Sequence, residues 1–351
     1  MKNRQIEIDG RNIGPEHPPY IIAELSANHN GDINRAIEIM KMAKRSGADA
    51  IKIQTYTQDT LTIDCDKEDF KIKGGLWDGR TLYDLYSEAH MPWEWHKPLF
   101  DKAKELGITI FSSPFDYTAV DLLEELGAPA YKIASFEAID IPLIEYVAKT
   151  GKPMIISTGM ANKEEIGDAI NAAQAAGCNN LVILHCVSGY PAPVEDYNLK
   201  TIPDMANRFN VLTGLSDHTI DNSTAITSVA LGACLIEKHV TLDRDGGGPD
   251  DSFSLEELEL SQLCRDSELA WLALGDINYN RKESEKGNVV FRRSLYVVKD
   301  VNKGDLINHE NVRSIRPGFG LPPKVLSSIV GKKFVMNVSR GSALKENMFE
   351  T

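Results

Sequence analysis

Two lysines sit inside short β-branched runs, where a soluble chain usually keeps apolar residues: Lys52 in Ala50–Thr55 and Lys132 in Ala130–Ala134. Strand alternation puts each ammonium on one face and the neighbouring Ile51, Ile53, Tyr131 and Ile133 on the other. An inward lysine serves as an imine-forming nucleophile or as a fixed cation for phosphate or carboxylate. Ser135 and Ser157 lie close by, and the turn at Gly159 adds backbone amides. Lysine, serine and amide donors together suit a small dianionic phosphate better than an imine. A structural Lys–Glu pair is the plain alternative. His218 and His239 close two later runs, from which both imidazoles could reach one metal ion. Two histidines with few protein carboxylates leave open positions, as a Lewis acid for a carbonyl needs. Hydrogen-bonded core histidines are the bland alternative. Glu24, Asp217 and Asp250 offer carboxylates for outer-shell contacts or proton transfer.

Eight apolar runs must position these groups: Tyr20–Glu24, Ala50–Thr55, Thr109–Ser113, Ala130–Ala134, Pro153–Thr158, Leu181–Cys186, Val211–Ser216 and Cys234–His239. Between them, Asn34–Ser46, Ala119–Leu126, Lys163–Ala176 and Ser223–Leu231 read as amphipathic helices, each stopped by a glycine. Eight strand–helix units without an antiparallel meander predict an α/β fold of the (β/α)8, or TIM barrel, type; an open doubly wound sheet is the alternative. Active sites of such barrels gather at the carboxyl ends of the strands. Polar residues crowd those ends here: Glu24, Gln54, Ser112-Ser113, Glu137, Ser157, then His185, Ser188 and Tyr190, Ser216, and Glu237. A ring of polar side chains converging on one mouth needs partners or a ligand.

The connection from Tyr56 to about Pro98 is far longer than usual and carries Trp77, Tyr83, Tyr86, Trp93 and Trp95. It reads as a folded flap over the mouth, or as aromatics pinning a loop to the barrel wall. After a helix at Leu255–Leu274, Gly275–Asn288 has no hydrophobic period and reads as a linker. Ser294–Val301, Val312–Ile315 and Lys332–Val338 then look like strands of a small β-rich domain. The expected division is a barrel over 1–275, a linker over 276–288 and the small domain over 289–351.

The 351 residues are 42% hydrophobic and 25% charged, ordinary for a globular enzyme. A net charge of -13 argues against a nucleic-acid-binding surface. The polar start Met1–Gly10 has no signal-peptide core, and no apolar run is long enough for a membrane helix. Five cysteines without a CxxC spacing read as reduced thiols. A cytoplasmic enzyme is expected.

The motifs AELSANHNG (Ala23–Gly31), ADAIKIQTY (Ala48–Tyr56), YKIASFE (Tyr131–Glu137), ISTGM (Ile156–Met160), GLSDHT (Gly214–Thr219), IEKHVTLD (Ile236–Asp243) and GGPDDSFS (Gly247–Ser254) resemble the sialic acid synthase family, in order. The tail Phe291–Phe349, with RSIRPGFGL (Arg313–Leu321), resembles that family's antifreeze-like (SAF) domain. The resemblance implies condensation of phosphoenolpyruvate with an acetamido sugar and water, giving a nonulosonic acid and phosphate by C–O cleavage. It implies that Lys52, Gln54, Ser113, Lys132, Ser135, Ser157, Ser188 and Ser216 bind phosphoenolpyruvate. His218 and His239 would hold a divalent ion: manganese, or magnesium or cobalt in its place. Glu24, Glu137 and Asp250 would handle protons or orient ligands, and Tyr190, Asp250 and Arg316 would touch the sugar. A domain-swapped homodimer is implied, with Arg316 of one subunit serving the barrel of the other.

Within the family, Gly75–His96, Phe111–Asp116 and Phe291–Asp300 resemble the branch that makes pseudaminic acid from 2,4-diacetamido-2,4,6-trideoxy-β-L-altropyranose. Where N-acetylneuraminate synthases tend to carry Asn in a TNIYP stretch, this chain has Val187-Ser188-Gly189-Tyr190-Pro191. N-acetylneuraminate and legionaminate are the alternative products, and a Schiff-base aldolase using Lys52 or Lys132 is the distant one.

Overall fold

A computed structural model describes residues 4–350; positions 1–3 and 351, the outermost residues of the two expected domains, lie outside it. A short hairpin, β1 (Ile6–Ile8) with β2 (Arg11–Ile13), comes first. Eight parallel strands follow: β3 (Tyr20–Glu24), β4 (Ala50–Thr55), β5 (Thr109–Pro114), β6 (Tyr131–Ile133), β7 (Met154–Ser157), β8 (Leu181–Cys186), β9 (Leu212–Asp217) and β10 (Leu235–His239). They close in sequence order, β10 pairing with β3, which rules out the open sheet. Nearly every strand residue is buried because one face meets the barrel interior and the other the helices. At the amino-terminal end Ile6, Ile8 and Ile13 of the hairpin pack with inward residues such as Ile22, Phe111 and Val182. The hairpin thereby plugs that end.

The four sequence-read crossover helices form within two residues of their expected ends. Three others had escaped notice: Trp93–Leu106, Ile141–Ala148 and Thr201–Phe209. Each carries a proline, Pro98, Pro142 or Pro203, that reads as a stop. Pro142 and Pro203 are early in their helices, where the missing N–H costs little. The expected flap is correspondingly shorter. Trp93 and Trp95 belong to a crossover helix, and the remaining segment carries a helix at Leu82–Ala89.

The chain forms two compact units that divide at Gly275/Asp276. In the second, residues 276–282 precede a 3-10 segment, Glu283–Phe291, which runs across the end expected for the linker. β11 (Ser294–Val297) pairs antiparallel with β12 (Val312–Ile315) over a core of Leu295, Val297, Ile307, Val312, Phe334 and Leu344. Two strand expectations need correction. β11 stops at Val297 because the chain then changes partners: the Val298 amide donates to Asn311 and that of Val301 to Val338. Lys332–Val338 makes only isolated bridges, Lys333 to Leu306, Phe334 to Phe349 and Val338 to Val301.

Candidate active site

Strand alternation decides which residues reach the barrel mouth. Lys52 and Gln54 of β4, Lys132 of β6, Ser157 of β7, Ser216 of β9, and Glu237 and His239 of β10 line a cavity of about 400 Å³. Ser135, Glu137, Tyr190, His218 and Asp250 line it from the following loops, and every lining residue belongs to the first unit. Four expected residues stand apart. Ser113 lies beneath the cavity, 3.4 Å from Lys52 Nζ, and Glu24 pairs with the same ammonium. Ser188 is set behind the Gly159 turn, and Arg316 is exposed on the second unit.

The floor is a buried charge cluster. Lys52 Nζ is 3.0 Å from Glu24 Oε2 and 3.1 Å from Glu237 Oε1, and the latter oxygen is also 3.1 Å from Lys132 Nζ. The Lys–Glu pairing is therefore real, but it lies on the floor of the cavity. Burial opposes every charge in it, and the partners decide the outcome. For Glu237, burial is outweighed by Lys132 and Lys52, which hold it well below the usual carboxylate range. Lys52 is raised because Glu237 and Glu24 overcome its burial. Glu24 is raised by burial, with Glu237 adding to it against Lys52. Lys132 is lowered by burial that Glu237 only partly offsets. The two lysines, each held by Glu237 and one also by Glu24, are the cations an anion entering the cavity would meet.

Two buried hydroxyls near the cavity lack partners. Among the described residues, Ser157 Oγ and Ser188 Oγ are buried and accept or donate to nothing. Gly159, at φ +45°, packs so tightly that a Cβ there would stand 2.3 Å from Ser135 Cβ and 2.6 Å from Ser188 Oγ. Ser157 lines the same cavity as Lys132, so its open buried donor marks a place for a ligand oxygen.

On the other side, His218 and His239 face each other with ring centroids 5.4 Å apart. His218 Nδ1 meets the Val187 carbonyl at 2.8 Å, and against its burial Cys186 and that carbonyl raise the imidazole above its ordinary pKa. His239 is kept neutral by burial and by His218, and its Nδ1 is buried with no partner among the described residues. Asp250 Oδ2 is 3.9 Å from that nitrogen and accepts from Ser26 Oγ. Two facing imidazoles, one with a buried unsatisfied nitrogen, beside open space and Asp250 fit a divalent ion. No group of three His, Cys, Asp or Glu fit to hold one occurs among the described residues, so the remaining positions would fall to ligand or water. Asp217 is not available to it. That carboxylate points out of the barrel onto Lys238, at 2.9 Å.

The upper walls are apolar: Ile72, Trp77, Leu82, Leu85 and Tyr86 of the flap, with Tyr56 and Phe115. The Trp77 indole donates to the Pro249 carbonyl at 3.3 Å and its ring lies 6.0 Å from Tyr190, so the flap is joined to the loops after β8 and β10. Trp93 and Trp95 instead pin the barrel wall, Trp93 Nε1 reaching the Tyr56 carbonyl and Trp95 packing on the core. The two readings of the long connection thus divide between its aromatics. Glu237, read from the sequence only as one of the polar strand ends, precedes His239 by two and shares its face, which is the signal that it belongs to the site.

The chain matches the NeuB family over residues 39–279 and the SAF domain over 292–350. A (β/α)8 barrel with this domain order belongs to a known class, and this protein is a member of the NeuB, or sialic acid synthase, family. It is 46% identical over 338 residues to the pseudaminic acid synthase of Campylobacter jejuni, covering 96% of this chain and 98% of that one. The N,N'-diacetyllegionaminic acid synthase of the same organism is 36% identical over 330 residues, 93% of this chain and 98% of that one. Among solved structures, the N-acetylneuraminic acid synthetase of Leptospira borgpetersenii superposes with a TM-score of 0.73 at 30% identity, covering 82% of this chain and 96% of that one.

Proposed function

We propose that the protein is a pseudaminic acid synthase, joining phosphoenolpyruvate to 2,4-diacetamido-2,4,6-trideoxy-β-L-altropyranose with water to give pseudaminic acid and phosphate. The carrying observation is a cavity with a cationic, hydroxyl-rich floor under apolar flap walls. Such a cavity accepts a compact anion below and a sugar carrying methyl and acetamido groups above. The higher identity to the pseudaminate enzyme than to the legionaminate enzyme favours this sugar.

Lys52, Lys132, Ser135, Ser157, Ser188 and Ser216 hold the phosphate and carboxylate of phosphoenolpyruvate. Its methylene carbon attacks the open-chain aldehyde of the sugar, water adds to the resulting oxocarbenium-like carbon, and phosphate leaves by C–O cleavage. Glu137 and Glu24, both pushed toward the protonated form by burial, are suited to move protons on the water and the new hydroxyl. His218 and His239 would hold a divalent ion, manganese first, which when bound would polarise the aldehyde. Tyr190 and Asp250 flank the sugar. Five unpaired cysteines suit a reducing cytoplasm, and no helix among the described residues is long and apolar enough to cross a membrane. A homodimer in which the SAF domain of one subunit brings Arg316 to the mouth of the other completes the reading.

Incubating the protein with phosphoenolpyruvate, Mn2+ and a panel of acetamido sugars, and following phosphate release and product mass, tests it. The diacetamido altrose is expected to exceed N-acetylmannosamine by at least about tenfold in kcat/KM. That is about 1.4 kcal/mol, within reach of one buried methyl or one unpaired hydroxyl. Equal efficiencies would overturn the sugar. A chelator is expected to stop turnover, and borohydride should trap no imine at either lysine.

A further inference from the structure

Lys238 stands between two cavity-lining residues, Glu237 and His239, yet is itself turned out of the barrel and buried at 1% exposure. Its ammonium donates to Asp217 Oδ2 at 2.9 Å and to the carbonyls of Thr219 and Asp221, both at 2.7 Å. With a longer contact to Thr219 Oγ1 at 3.4 Å, these partners use the full capacity of an ammonium. Asp217 is the residue directly paired with Lys238 across β9 and β10, and its Oδ1 accepts from the amide and hydroxyl of Thr219 at 2.9 and 2.8 Å.

His218 lies in the middle of this arrangement. It follows the end of β9, where its amide donates to the Tyr197 hydroxyl at 2.7 Å and its carbonyl accepts from the Ala192 amide at 3.0 Å, and the residues on either side of it are tied to one ammonium. The backbone carrying that ammonium continues directly into His239. One side chain therefore grips the support of one imidazole while its own peptide supports the other. A buried ion pair adds little to stability by itself, but it can fix a register.

We infer that Lys238 is a positioning residue: through the Asp217–Asp221 turn it sets the placement of His218 against His239 and so prepares the pair for a divalent cation. The inference rests on the proposed role of these histidines as the metal pair. A purely structural lysine would lower stability without changing how the histidines meet a metal.

Lys238→Met alone strands the Asp217 carboxylate in a dry site. The informative variant is Asp217→Asn with Lys238→Met, which removes both charges and keeps an acceptor for Thr219. Mn2+ binding, read from the electron paramagnetic resonance of the free ion, is measured for wild type, His239→Ala and this pair. The paired variant is expected to bind Mn2+ about 10- to 100-fold more weakly than wild type, with phosphoenolpyruvate binding nearly unchanged. Hydrogen exchange in metal-free protein supplies the second readout: amides of residues 218–221 should exchange faster in the pair, those of β3 and β4 should not. Wild-type Mn2+ affinity in the paired variant, or unchanged exchange at 218–221, overturns the inference. Faster exchange at 218–221 in a protein whose wild type binds no Mn2+ supports the clamp on His218 and removes the metal reading instead.

Discussion

Glu137 is the cavity carboxyl best placed to change its charge near neutrality. Burial, reinforced by Asp140, moves it from an ordinary 4.5 to about 7, and its Oε2 is buried without a partner among the described residues. A carboxyl raised on folding contributes stability that is full below its unfolded value and lost as pH rises through its folded one. Wild type should therefore lose up to about 3 kcal/mol between pH 4.5 and 8 that Glu137→Gln does not lose. In the same window an ionised Glu137 adds a negative charge beside the anion floor. The KM for phosphoenolpyruvate should rise with pH in wild type and stay flat in Glu137→Gln, as steady-state kinetics at several pH values will read. Parallel profiles for the two proteins would remove this role. Lys52 and Lys132 were legible in the sequence because a long cation among isoleucines breaks the strand pattern. Glu237 was less so, since its partners come from two other strands and only the closed barrel brings the three together. The outward fate of Asp217 was hidden for a related reason: alternation fixes its face, but which face holds the cavity depends on closure.

At the scale of elements, the turn after β7 matters most to the anion site. Gly159 combines φ +45° with side chains packed where a Cβ would go, so an alanine must displace Ser135, which lines the cavity, and Ser188. Gly159→Ala should raise the KM for phosphoenolpyruvate at least about tenfold, while the left-handed backbone costs about 1–2 kcal/mol of stability. Calorimetric titration with phosphoenolpyruvate separates the two effects; unchanged affinity would discard the turn as an anion cradle. All eight barrel strands could be read from the sequence because each is a short apolar run bounded by glycine or polar residues. The helices missed at 141–148 and 201–209 carry early prolines, which announce a stop in sequence but are harmless in a first turn. The flap could be read as folded from its aromatics. Its division could not, because whether an indole faces a cavity or a wall depends on the helix that starts at Trp93.

At the scale of the whole molecule, the proposed exchange of SAF domains has a direct genetic consequence. Arg316 touching an acetamido oxygen would contribute about 1.5–3 kcal/mol, so Arg316→Ala should cost about ten- to a hundredfold in kcat/KM. Mixing Arg316→Ala with inactive His239→Ala under subunit exchange should restore about a quarter of wild-type activity, because about half the dimers are mixed and each has one intact site. An arm serving its own barrel restores nothing beyond the parents' residual rates. The small domain was legible as β-rich, but its pairing was not. Only two strands form a ladder and the rest of its backbone bonds singly to distant turns. The hairpin of β1 and β2 has a consequence for traffic. By stoppering the amino-terminal end it makes the barrel a blind shaft, with the proposed anion site on its floor and the proposed sugar site at the flap walls. A sugar seated first would close off the floor, so the two substrates must queue, phosphoenolpyruvate ahead. An unreactive alditol of the sugar should accordingly inhibit uncompetitively against phosphoenolpyruvate, and a competitive pattern would mean that the shaft has a second way in.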